Sequence, residues 1–352
     1  MHEPVRLGVI GCGVISGSHL AAAAGCPLAE VVAVADLIPE RVEAAGEKFG
    51  VEARYPSDEE LLADDRVEAV VLAMPVADRT PVAYKALEKG LHVLIEKPIA
   101  GKAADVERMI ALRGDRVVAC CSSRKSFAGH AEAATRCVAS GALGRIRLVR
   151  IRALHGASAS PNPNPPPWRQ SMARNGGGIL VNWSCYDLDY VLQIVGWQVQ
   201  PRSVFAQWWP VADAMSDYVA AGSDADSHYA VLIACGNDMT ISMERAEFSS
   251  TTSDEAWEII GTEGSLHLPM QSSKTRPGAV VLNRFVPGEG VTSQTIWEQG
   301  EEEATGGVLE EFVAAIRGGP PPRTDLQRAL LMQKITDAIY ASGQSCQSVP
   351  IT

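Results

Sequence analysis

The chain has 352 residues, of which 46% are apolar and 21% charged, and its formal net charge is -11. This length allows two domains that each bury a core, and an acidic chain without a basic stripe is a poor partner for nucleic acid. No segment reaches the roughly 18 apolar residues of a membrane span and none fits a signal peptide, so we expect a cytoplasmic protein that binds no membrane.

The first third of the chain alternates apolar strand patterns with amphipathic helix patterns. Because the apolar runs are nearly continuous, they are typical of parallel strands covered by helices on both faces. We therefore predict an α/β fold that opens with a Rossmann dinucleotide-binding domain over residues 1–123. Its predicted strands are 5–10, 31–35, 69–73, 92–95 and 117–121, and its predicted helices are 18–24, 40–49, 80–88 and 104–112.

The texture changes after residue 123, where we predict a second α/β domain over 124–352 with a large, mostly antiparallel open sheet. The C-terminal helix is a candidate to pack back on the first domain. A proline-dense loop at 161–168 and three glycines at 176–178 precede a helical stretch that ends near residue 195. The remaining predicted helices are 131–140, 308–317 and 325–341, and the strands are 146–154, 203–208, 228–234, 239–246, 257–260 and 279–285.

A glycine turn follows the first predicted strand and precedes a helix. In the run Gly11-Cys12-Gly13-Val14-Ile15-Ser16, the first glycine allows a tight turn and the second lets a pyrophosphate approach the backbone. Ser16 occupies the third motif position, which requires a small residue. This context is the one that a dinucleotide site requires, so we assign Gly11, Gly13, Val14 and Ile15 to cofactor binding.

The end of the second predicted strand bears on cofactor choice. Asp36 can accept the adenosine ribose hydroxyls and would repel a 2′-phosphate, while the neighbouring Leu37 offers no cation to hold one. This favours NAD over NADP, although Arg41 lies close enough in sequence to keep NADP open. The alternative interpretation is that Asp36 only caps a loop.

Glu96-Lys97-Pro98 follows the apolar strand that ends at residue 95. Proline stops the strand, so Glu96 and Lys97 fall at a carboxyl end, where open α/β sheets bind ligands. Lys97 is the candidate catalytic cation. The alternative is a salt bridge between its side chain and Glu96, which the opposite orientation of neighbouring strand residues disfavours.

The chain at this point resembles a known family, the glucose-fructose oxidoreductase, inositol dehydrogenase and rhizopine catabolism (Gfo/Idh/MocA) family. The resemblance covers nearly the whole chain. It implies hydride transfer on a sugar or cyclitol, cofactor contacts by Ala73-Met74-Pro75 and Trp168-Arg169, and a homodimer or homotetramer through the C-terminal sheet. The segments that carry it are Gly11-x-Gly13, 70–75, 90–98, Trp168-Arg169, Gly176-Gly177-Gly178 and 257–264.

This sequence departs from the family where an Asp-x-x-x-His helix usually supplies the acid/base histidine. The corresponding residues here are Asn182 and Tyr186, which share a helical stripe with Asp189. Our hypothesis is that Tyr186 is the general acid/base and Lys97 its activator, because a nearby ammonium lowers the pKa of a phenol. The alternative interpretation is that Tyr186 is an amphipathic-helix residue whose hydroxyl is bonded locally. Asp189 is interpreted as a solvated or supporting carboxylate.

Asn182 and Arg124 complete the candidate substrate-binding set with Lys97 and Tyr186, although Arg124 could instead cap the carboxyl end of the sheet. The isolated histidines have no ligand spacing, so we predict no metal. Alternatives to a dehydrogenase are a biosynthetic nucleotide-sugar 3-ketoreductase, a glycoside hydrolase or lyase that uses NAD transiently, and a non-catalytic dinucleotide sensor.

Overall fold

The computed structural model describes residues 3–271, 278–300 and 306–352. The chain divides into two compact units. The first comprises the described residues up to Arg124 together with Gly306–Gln333, and the second comprises the described residues from Lys125 to residue 300 together with Lys334–Thr352. Residues 306–333 therefore group with the first unit, although the sequence assigned all of 124–352 to the second domain.

The secondary structure follows the predicted order with several additional elements. Within the described ranges, no helix combines the length and the apolar character needed to cross a bilayer. The elements are β1 (Val5–Ile10), α1 (Ser16–Gly25), β2 (Ala29–Ala35), α2 (Pro39–Phe49), β3 (Ala53–Tyr55), α3 (Asp58–Leu62), β4 (Ala69–Leu72), α4 (Val76–Glu88), β5 (His92–Ile95), α5 (Ala103–Leu112), β6 (Val118–Cys120), a 3₁₀ segment (Cys121–Phe127), α6 (Gly129–Ala139), β7 (Ile146–Gly156), α7 (Met172–Asn175), a π-helical turn (Leu180–Ser184), α8 (Cys185–Val195), β8 (Pro201–Pro210), a 3₁₀ segment (Asp213–Tyr218), β9 (Asp226–Cys235), β10 (Thr240–Ser249), β11 (Asp254–Gly261), β12 (Gly264–Leu268), β13 (Ala279–Val286), β14 (Gly290–Glu298), α9 (Val308–Ile316), α10 (Leu326–Ser345) and β15 (Val349–Pro350).

The first unit is built on a parallel sheet with the strand order β3-β2-β1-β4-β5-β6. Strands β1, β4 and β5 are almost entirely buried, which explains why they read as continuous apolar runs. The strand order reverses between β1 and β4, and the crevice at such a switch point is where open α/β sheets bind ligands. The predicted Rossmann architecture is confirmed.

The sequence analysis missed β3 and α3. Helix α3 begins after Ser57, whose hydroxyl accepts a hydrogen bond from the backbone N–H of Glu60 at 3.2 Å. Ser57 and Glu60 form the Ser-x-x-Glu pattern of a capping box, a start signal that was present but not used. Helix α4 also begins four residues before the predicted position, and Pro81 lies inside it.

The second unit is built on a nine-stranded sheet with the order β14-β13-β12-β11-β7-β10-β9-β8-β15. Its paired strands are antiparallel except for β7 and β10, which run parallel. The predicted mostly antiparallel sheet is therefore confirmed. Strands β12, β14 and β15 were not predicted, and β14 reads as polar because most of its residues are exposed.

The two faces of this sheet differ in burial. On β10, Ile241, Met243 and Arg245 are buried on one face, and Ser242 and Glu244 alternate on the other. Helix α6 packs against β12, β13 and β14 and against α8. The opposite face, called here the outer face, carries Phe205 paired with Leu232 and Phe285 paired with Val291, all four largely exposed.

Candidate active site

The turn after β1 has the form of a phosphate-binding glycine turn. Gly11 has a φ of +92°, and a Cβ there would lie 2.7 Å from the backbone oxygen of Ala73. A Cβ at Gly13 would meet nothing within 4 Å, and the next residue, Val14, is fully exposed. Gly11 is therefore required by the fold, whereas Gly13 leaves open space in which a ligand can approach the backbone.

Helix α1 begins directly after this turn. Ser16 donates from its hydroxyl to the Gly13 carbonyl at 2.5 Å, so the serine in the third motif position closes the turn on itself. The N-cap residue Ile15 makes no side-chain cap, and the first turn of α1 carries no acidic residue. An open glycine turn beside a helix N-terminus fits the pyrophosphate of a dinucleotide.

Asp36 links the ends of β1 and β2. Its carboxylate accepts hydrogen bonds from the backbone N–H of Cys12 at 2.7 Å and of Ile38 at 2.9 Å. Burial and the Asp36 charge raise the pKa of the Cys12 thiol to about 11. Leu37 is largely exposed beside the carboxylate. Asp36 does cap a loop, as the alternative interpretation held, but each carboxylate oxygen keeps a lone pair with which a ribose hydroxyl can bond.

Arg79 joins the loops that follow β4 and β5, and the sequence analysis did not identify it. Its guanidinium donates to the backbone oxygen of Met74 at 2.6 Å and to that of Pro98. Arg79 is 2% exposed. The loop from Ala73 to Pro75 and the Lys97–Pro98 peptide, which is cis, are thus held together at the same edge of the sheet.

Glu96 is the centre of a buried polar cluster at the end of β5. Its Oε1 accepts from His19 Nε2 at 2.8 Å and from the Arg124 guanidinium at 2.6 Å, and its Oε2 accepts from the backbone N–H of Lys97 at 3.1 Å. Burial alone would raise the pKa of Glu96, yet the hydrogen bond from His19 and the charge of Arg124 outweigh it and hold that pKa well below its usual value. Arg124 therefore binds the carboxylate at the carboxyl end of β5. Its contact with a substrate stays a prediction.

This cluster also contains the one group of potential metal ligands found among the described residues: His19, Glu96 and Cys121, whose ligand atoms lie within 4.8 Å of one another. A bound cation would compete with the Arg124 guanidinium for Glu96. Burial also raises the pKa of the Cys121 thiol well above its usual value, whereas a metal needs the thiolate. We therefore assign no metal to these residues.

In the second unit, Asn182 and Tyr186 lie on the π-helical turn and on α8, respectively. The Asn182 amide donates to the backbone oxygen of Arg169 at 2.9 Å and accepts from Asn175 at 3.2 Å. Tyr186 is 5% exposed, and its ring packs edge-on against Trp183 with centroids 5.7 Å apart. Asp189 is fully buried and accepts from Ser126 at 3.5 Å, which excludes the solvated alternative and leaves that of a supporting carboxylate.

Trp168 and Arg169 follow the proline-dense loop. Trp168 is half-buried. The Glu247 carboxylate accepts hydrogen bonds from the Arg169 guanidinium at 2.6 Å and from the Gln170 amide at 2.7 Å. The side chain of Arg169 is thereby tied to the end of β10. Its contact with the cofactor stays a prediction, as does that of Trp168.

The sequence analysis missed a buried ion pair next to Tyr186. Arg245 on β10 donates to both carboxylate oxygens of Asp187 at 2.8 and 2.9 Å, and Trp257 Nε1 donates to the same carboxylate at 2.9 Å. All three side chains are at most 2% exposed. A signal was available in the sequence, because Arg245 occupies an inward position in the alternation of Ile241 and Met243, and such an arginine needs a counter-charge.

Family models match both parts of the chain. Residues 5–121 match the family described as "Oxidoreductase family, NAD-binding Rossmann fold", and residues 131–267 match the GFO/IDH/MocA C-terminal domain. The myo-inositol 2-dehydrogenase of Thermotoga maritima is 25% identical over 332 residues, which cover 93% of this chain and 94% of that protein.

The dTDP-3,4-didehydro-2,6-dideoxy-alpha-D-glucose 3-reductase of Streptomyces violaceoruber is 30% identical over 266 residues, covering 75% of this chain and 72% of that protein. Among solved structures, a levoglucosan dehydrogenase in complex with NADH and L-sorbose matches with a TM-score of 0.82 and 22% identity over the full length of both chains. At that identity the likeness shows a shared fold.

Proposed function

Since this chain belongs to the Gfo/Idh/MocA family of NAD-dependent oxidoreductases, we propose that it transfers a hydride between NAD and a carbinol or ketone carbon of a sugar, glycoside or cyclitol. The observation that carries the proposal is the geometry at one sheet edge of the first unit. There the open turn at Gly13, the Asp36 carboxylate and the backbone-anchored Lys97 all follow carboxyl ends of parallel strands.

The residues of this edge fit a dinucleotide. The backbone of Gly13, Val14 and Ile15 would hold the pyrophosphate at the start of α1, and Asp36 would bind the adenosine ribose. Leu37, exposed beside Asp36, offers no positive charge for a 2′-phosphate, which supports NAD, while the charge of Arg41 reaches Cys12 and keeps NADP as the alternative. The loop from Ala73 to Pro75 would line the remainder of this site. When bound, NAD supplies a hydride acceptor or donor.

Lys97 supplies positive charge in this scheme. Its backbone N–H donates to the Glu96 carboxylate, which His19 and Arg124 hold in place. The backbone of Lys97 is therefore fixed at the strand end. The ammonium would stabilise the negative charge that develops on a carbinol oxygen. It is also proposed to favour the ionised form of the Tyr186 phenol.

Tyr186 is the proposed general acid/base. A free phenol has a pKa near 10, which matches neutral proton transfer poorly. The Lys97 ammonium is therefore proposed as the group that favours the ionised phenol. In oxidation the phenolate oxygen of Tyr186 would take the carbinol proton, and in reduction the Tyr186 phenol would give that proton to the oxygen of the reduced ketone. Arg124, Asn182, Trp168 and Arg169 are proposed to orient the substrate and cofactor.

The relatives support a sugar or cyclitol substrate, and they are named for opposite directions of hydride transfer. The Thermotoga maritima relative is named for oxidation of a cyclitol, and the Streptomyces violaceoruber relative for reduction of a nucleotide-linked ketosugar. The second similarity favours one alternative function, a biosynthetic nucleotide-sugar 3-ketoreductase. Both activities would use the same Lys97 and Tyr186.

A panel assay separates these functions. NADH formation and consumption would be followed with free sugars, inositols, glycosides and nucleotide-linked ketosugars, each with NAD and NADP. We expect turnover with at least one polyol or ketosugar and a preference for NAD. Glycoside cleavage without net NADH would instead indicate a hydrolase or lyase, and absence of hydride exchange with every compound would contradict the proposal.

We further propose that copies of the chain associate through the outer face of the nine-stranded sheet. Phe205 and Leu232 are directly opposed on β8 and β9 and are 48% and 53% exposed, while Phe285 and Val291 on β13 and β14 exceed 70%. Exposed apolar side chains on a wide sheet face are typical of an interface. A second copy of this chain is the proposed partner.

A further inference from the structure

The segment from Gly178 to Asp187, which carries Tyr186, is fixed to the rest of the second unit by the Asn182 hydrogen bonds and by three further attachments. Asp226 accepts from the backbone N–H groups of Gly178 and Leu180 at 2.9 and 2.8 Å. Ser184 hydrogen-bonds the Tyr229 hydroxyl on β9. The third attachment is the Asp187–Arg245 pair, one residue beyond Tyr186.

The Asp187–Arg245 pair is connected to Tyr186 in two ways, through the backbone and through the Trp183 ring. Asp187 follows Tyr186 directly in the chain, so a carboxylate held in a two-point contact fixes the backbone on which the phenol is mounted. The Arg245 guanidinium also lies over the Trp183 ring, with Cζ 5.2 Å from its centroid, and the Trp183 ring packs against that of Tyr186. Arg245 thus contacts groups on both sides of Tyr186 in the sequence.

We propose that Arg245 is a positioning residue for the Tyr186 phenol, acting through Asp187 and Trp183. The inference rests on the proposed function, in which Tyr186 moves the proton. Arg245 is assigned no contact with substrate or cofactor. A displacement of about 1 Å in a reacting group can cost about a hundredfold in rate, so a side chain that fixes the phenol affects turnover without joining the chemistry.

The ion pair acts by geometry rather than by net charge. Asp187 and Arg245 are 0% and 1% exposed and opposite in sign, so their combined field at a distance is small. A buried pair of this kind is weak evidence for stability, because well-packed apolar residues often replace it without loss. What apolar residues cannot reproduce is the directional, two-point contact of a guanidinium with a carboxylate.

The test is a double-mutant cycle between Arg245 and Tyr186 in the full chain. Arg245→Lys keeps the charge and loses the two-point contact. We expect it to lower kcat by about 10- to 100-fold while the KM for NAD changes less than about twofold. In the Tyr186→Phe background the same substitution should cause no further loss. The matched control is Arg66→Lys, which breaks an equally two-point contact with Asp64 at a first-unit position that has no proposed role, and it should leave kcat unchanged.

The outcomes separate the two proposals. If Tyr186→Phe alone keeps normal turnover, the proposed acid/base fails whatever Arg245 does. If Tyr186→Phe lowers kcat but Arg245→Lys lowers it by the same factor in both backgrounds, or leaves it unchanged, the positioning role is overturned. Should Arg245→Lys not fold, the apolar pair Asp187→Leu with Arg245→Met takes its place, and kcat equal to that of the natural chain would overturn the inference.

Discussion

The Arg124 guanidinium lies 2.6 Å from Oε1 of the buried Glu96, the same oxygen that accepts a hydrogen bond from His19. His19 and Arg124 both lie far from Glu96 in the sequence and come from outside β5. The carboxylate is therefore ionised and fixed in place, and it accepts the backbone N–H of the residue proposed to activate the phenol. The position of Lys97 thus depends on a charge cluster that is itself buried.

Glu96→Gln tests this cluster through the pH dependence of stability. The pKa of Glu96 is lowered in the folded chain, so its contribution is fully present above the unfolded value of about 4.3 and is lost as the pH falls. We expect the variant to be less stable by about 3 kcal/mol at pH 7, with the difference shrinking below about pH 4. Urea unfolding from pH 7 to pH 3 measures it.

The control for this experiment is Glu52→Gln, a neutralised carboxylate at an exposed position of the same unit. Its unfolding free energy should follow that of the natural chain at every pH. A constant difference between the Glu96→Gln variant and the natural chain down to pH 3 would mean that the Glu96 charge is not the source of the stabilisation.

The two motif glycines should respond differently to alanine. Gly11→Ala places a Cβ against the Ala73 carbonyl in a left-handed backbone region, so we expect a loss of about 1–3 kcal/mol of stability. Gly13→Ala meets open space and should change stability by less than about 0.5 kcal/mol while weakening NAD binding. Thermal unfolding and NAD titration of both variants give the comparison. Unchanged NAD affinity in Gly13→Ala would contradict the assignment of the pyrophosphate to this turn.

His130 predicts a second pH dependence in the other unit. Burial and, secondarily, the charge of Lys125 lower the pKa of His130 from 6.5 to about 4, and its ring hydrogen-bonds Tyr190 at 2.9 Å. As the pH falls, His130 is protonated in the unfolded chain near pH 6.5 but in the folded chain only near pH 4. The free energy of unfolding therefore decreases between these two pH values, by on the order of 3 kcal/mol. His130→Phe should flatten this slope in unfolding experiments, whereas His267→Phe at a half-exposed site should not. A slope identical in all three chains would rule out His130 as its source.

The outer face makes a prediction about assembly. A charge at Phe205 or Phe285 would have to be desolvated in an interface, so Phe205→Glu and Phe285→Glu should shift the chain toward monomer in light-scattering measurements. Leu37→Glu provides the control, since Leu37 is equally apolar and 82% exposed but lies in the first unit. If both phenylalanine variants keep the mass of the natural chain, association uses another surface.

Periodicity predicted most of the first unit because each of its strands is bounded by its own helix and by local turn signals. The glycine turn and the strand ends of β2 and β5 follow from residues within a few positions of one another. Asp36, Glu96 and Lys97 could therefore be placed at the correct edge of the sheet from sequence alone.

The partners of those residues could not be predicted in the same way. His19 reaches Glu96 across 77 positions and Arg245 reaches Asp187 across 58, and no local pattern specifies such pairs. An inward arginine on β10 indicates that a counter-charge exists but not which residue provides it. The π-helical turn at Leu180–Ser184 likewise has no periodic pattern in the sequence. The prediction that Asn182 and Tyr186 share one helical face therefore assumed a regular α-helix.

The most direct test of the proposed chemistry is the turnover of Tyr186→Phe on the substrate that the panel assay identifies. The account predicts a kcat about 10² to 10⁴ times lower than that of the natural chain, with NAD affinity essentially unchanged. Tyr84→Phe, which removes a hydroxyl bonded to Asp105 in the first unit, should keep normal turnover. A Tyr186→Phe variant with kcat within about threefold of the natural chain would contradict the account.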